Sequence, residues 1–250
     1  MEQNNTKIKT WAIVFWLLVW QVGSMILNQE ILLVSPFTVI KRLFVLMQTT
    51  TFYQSILRSL CNISIGFLLA MILGILFAIF SSKWKWFYQL LSPLVFTIKS
   101  IPVASFIILV LIWVRSTYLS IVISFLMVFP IFYENIRKGI AMTDVKLLEM
   151  ADVFQLSNYI RIRYIYVIAV LPYFQSACSL ALGLAWKSGI AAEVIGMPKF
   201  SIGEHLQQAK VYFDTPDLFA WTLVIILLST VLEKVFNWLL KKLVNDLETE

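Results

Sequence analysis

Residues 148–156, Leu148-Glu149-Met150-Ala151-Asp152-Val153-Phe154-Gln155-Leu156, sit in a charged interval between two long apolar runs, with Leu171-Pro172 following soon after. The whole interval, 137–164, carries Arg137, Lys138, Asp144, Lys146, Glu149, Asp152, Arg161 and Arg163, and is long for a mere connector. Thr143 or Asp144 can cap a short helix here, and Ser157-Asn158 can end it and cap the next. On that helix Leu147, Ala151 and Phe154 share one face while Lys146, Glu149 and Val153 lie on another. The expected object is an amphipathic helix joined tightly to the apolar run after it.

Working outward, the flanking runs place the chain in a bilayer. Of its 250 residues 60% are hydrophobic and only 14% charged, too few charges to cover the surface of a soluble domain of that size. Crossing roughly 30 Å of hydrocarbon takes about 20 residues of helix. Six runs qualify, near 11–28, 57–81, 88–114, 117–136, 165–186 and 218–240. Pro93, Pro102, Pro130 and Pro172 fall within them, which bundled helices tolerate when neighbours satisfy the freed carbonyl. The expected fold is an all-α integral membrane protein of about six transmembrane helices.

Basic residues orient it. With the N-terminus inside, Lys7, Lys9, Lys83, Lys85, Arg137, Lys138, Lys146, Arg161, Arg163, Lys241 and Lys242 flank the cytoplasmic side. Lys41, Arg42, Arg58, Arg115, Lys199 and Lys210 flank the outer side. Eleven against six favours both termini in the cytoplasm. These flanks account for the net charge of +6, so nucleic-acid binding does not follow from it. No small-residue cleavage site precedes Gln29 and Glu30, so the first run reads as an uncleaved helix. Cys61 and Cys178 lie in spans with no CxxC spacing and read as small core residues.

With short loops and no linker or low-complexity tract, residues 1–250 read as one membrane domain, its core about 55–240 and its charged loop about 137–164. In segment 33–50, Val39, Leu43 and Leu46 share a helical face beside Lys41 and Arg42, which suits a helix along the outer membrane surface. Gly66, Ala70, Gly74 and Ala78 recur every four residues, as do Ala177, Ala181, Ala185 and Gly189. Such stripes let helices approach closely, and lining a route is their other use.

Ionisable residues at membrane depth are costly and mark functional positions. Lys99 stands beside Ser100-Ile101-Pro102, where a proline-disturbed helix can open a polar cavity. There it either attracts an anionic substrate or snorkels to the headgroups as an anchor. Trp186, Lys187 and Glu193 come at the outer end of the fifth run. Trp186 and Glu193 share a face if helix continues between them, forming either part of an external gate or the mouth of a route, or else an interface belt with Lys187 and Glu193 solvated or paired. The polar segment 197–217 is expected outside, and its His205, the only histidine, makes no metal site with Glu204. No HExxH and no GxxxxGK[ST] occurs, so the chain is not expected to hydrolyse ATP or to be an enzyme.

The loop resembles the signature of permease subunits of type I ABC importers: Glu-Ala-Ala, three residues, Gly, nine residues, Ile. Glu149, Ala151 and Ile165 match, whereas Met150 replaces an Ala, Gln155 the Gly and Ile168 a later Pro. Val170-Leu171-Pro172-Tyr173, Ala181-Leu182-Gly183-Leu184-Ala185-Trp186, Ala191-Ala192-Glu193-Val194-Ile195-Gly196, Ser92-Pro93 through Ile101-Pro102, and Asp217-Leu218-Phe219-Ala220-Trp221 resemble the nitrate, sulfonate and taurine branch. The likeness implies a multi-pass protein of the bacterial plasma membrane. It also implies a second permease copy, an extracytoplasmic substrate-binding protein, and cytoplasmic ATP-binding subunits that use ATP and Mg while this chain binds no cofactor or metal. Glu149 would contact the ATPase, Ala151 leaves room for close approach, and Asp152 and Gln155 belong to the same coupling segment. Lys99, Pro102, Trp186, Lys187 and Glu193 are candidates for the route or its gate. The alternative is a carrier driven by an ion gradient, which should show carboxylates at the midplane; only Glu134 comes near this. A membrane-embedded enzyme would need clustered His, Asp or Glu at depth, which the sequence lacks.

Overall fold

Two stripes of small residues decide how the helices meet. In a computed structural model, which describes residues 10–27, 29 and 31–249, the chain forms α1 (Thr10–Leu27), α2 (Pro36–Met47), α3 (Thr50–Lys83), α4 (Lys85–Ser100), α5 (Val103–Val110) and α6 (Ser116–Ala141). There follow α7 (Val145–Val153), α8 (Asn158–Arg161), a π-helical turn (Ile162–Tyr166), α9 (Val167–Gly196), α10 (Ile202–Val211) and α11 (Thr215–Thr249). Lys7, Lys9 and Glu30 lie outside the described residues.

A Cβ on Gly66 would meet the Ile121 carbonyl oxygen at 2.4 Å, and one on Gly74 would meet Phe132 Cβ at 2.7 Å. Only glycine permits that approach of α3 to α6, and the contact order makes the two helices parallel. Helix α9 runs the other way, with Val170 and Tyr173 against Gly139, and Ser124 Oγ donating to the Ala185 carbonyl at 3.1 Å. On its own stripe, a Cβ at Gly189 would meet Ile63 Cγ1 at 2.5 Å. Both stripes therefore serve packing. The centre they enclose is aromatic, with Phe67 edge-on to Phe132 and to Phe236 of α11.

Four helical stretches are long and apolar enough to cross a membrane: Thr50–Lys83, Ser116–Ala141, Asn158–Gly196 and Thr215–Leu240. The expected third span, 88–114, is broken instead, because α4 and α5 meet at 109°. Pro102 has no N–H to continue the helix and disfavours helical backbone at the residue before it, and Ile101 is accordingly extended (φ −84°, ψ 130°). Counted as one crossing, the pair makes a fifth span, and the first expected span is a shorter apolar helix, Trp11–Leu27. The fifth expected run, 165–186, continues to Gly196. Helix α2 forms as the periodicity predicts: Ser35 Oγ caps it by accepting from Thr38 N, Val39 is buried, and Arg42 pairs with Asp214 just ahead of α11 and with Asp217 within it.

Candidate functional site

Helix α7 stands at the basic end of the bundle, the end that also carries Lys83, Lys85, Arg137 and Lys138. Asp144 is its cap, its carboxylate accepting from Lys146 N at 2.9 Å. The helix stops by turning left-handed at Gln155 (φ 48°), with Gln155 N donating to the Asp152 carbonyl (3.0 Å) and Leu156 N to the Ala151 carbonyl (2.9 Å). That is the usual paired closure of a helix end, made here without its usual glycine. Ser157 Oγ then caps α8, accepting from Ile160 N.

One side chain locks this turn. Arg161 Nε donates to the Leu156 carbonyl at 3.0 Å, its Nη2 to the Ala151 carbonyl at 3.1 Å, and its Nη1 to the Asp152 carboxylate. The planar fork of guanidinium donors meets three acceptors that a single ammonium cannot reach together. The end of α7 is thereby tied to α8, which continues through the π turn into α9.

Most of the apolar side chains of α7 are open. Of Leu147, Ala151 and Phe154, only Ala151 is buried; Leu147 is exposed and Phe154 is 70% exposed. Met150 and Val153 are exposed too, and Glu149 projects into the open beside them. Leu147, Met150, Val153 and Phe154 therefore do not serve the core of this chain.

At the kink between α4 and α5, Lys99 Nζ donates to both carboxylate oxygens of Glu134 on α6, at 2.9 and 2.7 Å. The pair borders a cavity of about 140 Å³ that Tyr88, Ser92, Tyr133 and Arg137 also line. Arg137 lies over the Tyr88 ring, 4.7 Å from its centroid, and its Nε has no hydrogen-bond partner among the described residues. Pro102, three residues beyond Lys99, is the N-cap of α5 at the kink.

Trp186 and Glu193 are inside the bundle rather than in an interface belt. Trp186 is buried, its indole N–H donating to the Ile225 carbonyl of α11 at 3.3 Å. Glu193 is fully buried; its Oε2 accepts from Ser59 Oγ at 2.6 Å and from Gly203 N at 3.4 Å. Ser59 Oγ in turn accepts from Ile202 N at 3.0 Å. The N-terminus of α10 thus rests on a carboxylate, where its dipole favours negative charge. Lys187 is exposed and belongs to neither group. His205 stacks flat on Trp221, centroids 4.6 Å apart, with Ser55 Oγ 2.9 Å from Nε2.

Glu134, Arg137, Arg161, Ser59 and Gly203 were not singled out as site residues from the sequence. Arg161 alone carried a usable local signal, a basic residue one turn past a capped break. The other contacts join positions as far apart as Ser59 and Glu193.

A family model described as a binding-protein-dependent transport system inner membrane component matches residues 66–248. The chain is 25% identical over 228 residues to the aliphatic sulfonates transport permease protein SsuC named in Bacillus subtilis, covering 90% of this chain and 82% of that one. It is 23% identical over 214 residues to the formylaminopyrimidine transport permease protein ThiX of Halalkalibacterium halodurans, covering 85% of each. Against the nitrate import permease protein NrtB of Synechococcus elongatus it is 27% identical over 209 residues, 77% of this chain and 74% of that one.

Proposed function

Because the chain belongs to the binding-protein-dependent inner membrane components, the ABC importer permeases of the sulfonate and nitrate branch, we propose that two copies form the route for a small sulfonate-, taurine- or nitrate-like anion. An extracytoplasmic binding protein delivers the solute. Two ATP-binding subunits dock on the basic end, where they alone bind ATP and Mg. The permease is a multi-pass protein of the bacterial inner membrane, and its task is passage and coupling, with no covalent step of its own.

The observation that carries this reading is α7, a short helix with exposed Leu147, Met150, Val153 and Phe154, clamped by Arg161 to the helix that crosses the bundle. An exposed apolar patch on a fixed mount suits a partner's groove. Glu149 at its edge supplies a charge-assisted contact, and buried Ala151 lets the turn close tightly behind it. Motion of α7 passes through α8 and the π turn to α9, whose far end holds α10 through Glu193.

The test is solute uptake by proteoliposomes that contain the assembled complex and enclosed ATP. Uptake that needs ATP and survives an uncoupler is expected. Uptake that collapses with the uncoupler while ATP remains would instead identify a gradient-driven carrier. Glu149→Lys is expected to insert normally and lose ATPase attachment; normal uptake by that variant removes Glu149 from the contact.

A further inference from the structure

We propose that Lys99, Glu134 and Arg137 form an anion subsite on the wall of the route, in which Glu134 occupies Lys99 until a solute sulfonate, nitrate or similar oxyanion takes its place. This deepens the permease reading and rests on it.

Three observations converge. The first is position: Glu134 lies on a helix long and apolar enough to cross a membrane, one turn before Arg137 at its basic end, and Lys99 lies beside the kink between α4 and α5. The second is exposure, since the side chains of Lys99 and Glu134 remain 51% and 44% exposed although they contact each other. A charged pair left that open on a membrane-crossing helix is stable where water reaches it, as it would on the wall of an aqueous route near the basic end of the bundle. The third is the charge count around the cavity: two cations, Lys99 and Arg137, face one carboxylate, Glu134.

The site therefore holds one positive charge beyond what Glu134 neutralises. Arg137 has a buried Nε without a hydrogen-bond partner among the described residues, and its guanidinium lies over the Tyr88 ring. Ser92 adds a hydroxyl to the same wall. The 140 Å³ of space accommodates several waters or one small oxyanion. Because Glu134 already sits on Lys99, an incoming anion exchanges one charge-assisted contact for another. Exchange of this kind keeps binding weak enough for release.

The test uses the full complex in proteoliposomes, with Cys61→Ala as background and Ser92→Cys placed on the cavity wall. Its thiol is treated with two methanethiosulfonates of similar size, which pass an alkylthio group to the cysteine as a mixed disulfide and release methanesulfinate; one carries an ethylsulfonate anion and the other a trimethylammonium cation. The expected result is reaction with both, and an anion-to-cation rate ratio at least fivefold above that of free cysteine. Adding Lys99→Gln should lower the ratio at least threefold, and adding Glu134→Gln should raise it. A thiol that reacts with neither reagent would place this face against lipid and overturn the proposal. So would a ratio equal to that of free cysteine and unmoved by either substitution. Labelling needs no ATP, so the outcomes separate: uptake found to be gradient-driven leaves the subsite standing, and ATP-driven uptake with an inert Ser92→Cys removes the subsite alone.

Discussion

Replacing Arg161 by alanine isolates the clamp on α7. Two hydrogen bonds from its charged fork, to the Leu156 and Ala151 carbonyls, are partly shielded from water, and bonds of this type contribute about 1.5–3 kcal/mol each in good surroundings. With a quarter of the side chain exposed, the lower end of that range applies to the pair. The contact to Asp152, whose side chain is 67% exposed, adds under about 1 kcal/mol. The loss is therefore about 1.5–2.5 kcal/mol, or roughly 10- to 60-fold in the opening of the loop, at about 1.4 kcal/mol per tenfold. Amide hydrogen exchange across residues 148–156 reads this directly in the purified chain, with the amides of α3 and α6 as internal reference. Asp152→Asn should change exchange less than about fivefold. Arg161→Lys should fall between, since an ammonium cannot span the three acceptors. Exchange within about threefold of wild type in Arg161→Ala, or an equal effect from Asp152→Asn, would refute the clamp.

Three further changes probe the neighbouring geometry. Gln155→Gly removes the cost of a side chain in left-handed backbone and should stabilise the α7 terminus by about 1 kcal/mol, seen as slower exchange at Leu156; faster exchange would contradict this. Gly203→Ala places a Cβ 2.4 Å from Glu193 Cβ and from Val194 N, backbone-anchored atoms that cannot swing away. It should cost about 1–3 kcal/mol and lower the thermal midpoint, and an unchanged midpoint would mean that α10 sits less tightly than described. His205 is held below its ordinary pKa by burial, against the opposing pull of Glu204 and Asp217. Its unfolded form takes up a proton first, so its contribution to stability is complete above about pH 6.5 and is lost as pH falls through the lowered folded value. Thermal midpoints between neutral and mildly acid pH should fall less steeply in His205→Asn; an identical slope would assign the pH dependence elsewhere.

The helices were legible where a pattern is local. Small residues every four positions gave the close faces of α3 and α9, and Ser35-Pro36 gave the start of α2. Asp144 and Ser157 were readable as caps because capping needs only the next few residues. The kink at Pro102 was seen as a disturbance, yet its angle depends on what α5 packs against, notably Leu119, Ile123 and Ala192. Hydropathy could not separate Trp186 in the core from Trp186 in a headgroup belt, since both suit an aromatic side chain. Periodicity grouped Leu147, Ala151 and Phe154 on one face of α7 but could not say that Ala151 alone is buried, because that depends on where the helix sits against the rest of the chain. The pairing of Lys99 with Glu134 joins residues 35 apart on separate helices and leaves no local trace.

The central claim is that α7 is a docking element for an ATP-binding subunit, and its exposed apolar tip is the place to break it. Tagged wild-type chain and Val153→Asp/Phe154→Asp chain, solubilised in mild detergent from their own membranes, are compared for a co-purifying protein that takes a photoreactive ATP label. The account predicts a labelled subunit in equal amount with wild-type permease and its loss from the double variant, whose yield and thermal midpoint stay unchanged because neither side chain is buried. A labelled subunit retained at full stoichiometry by the double variant would contradict the assignment.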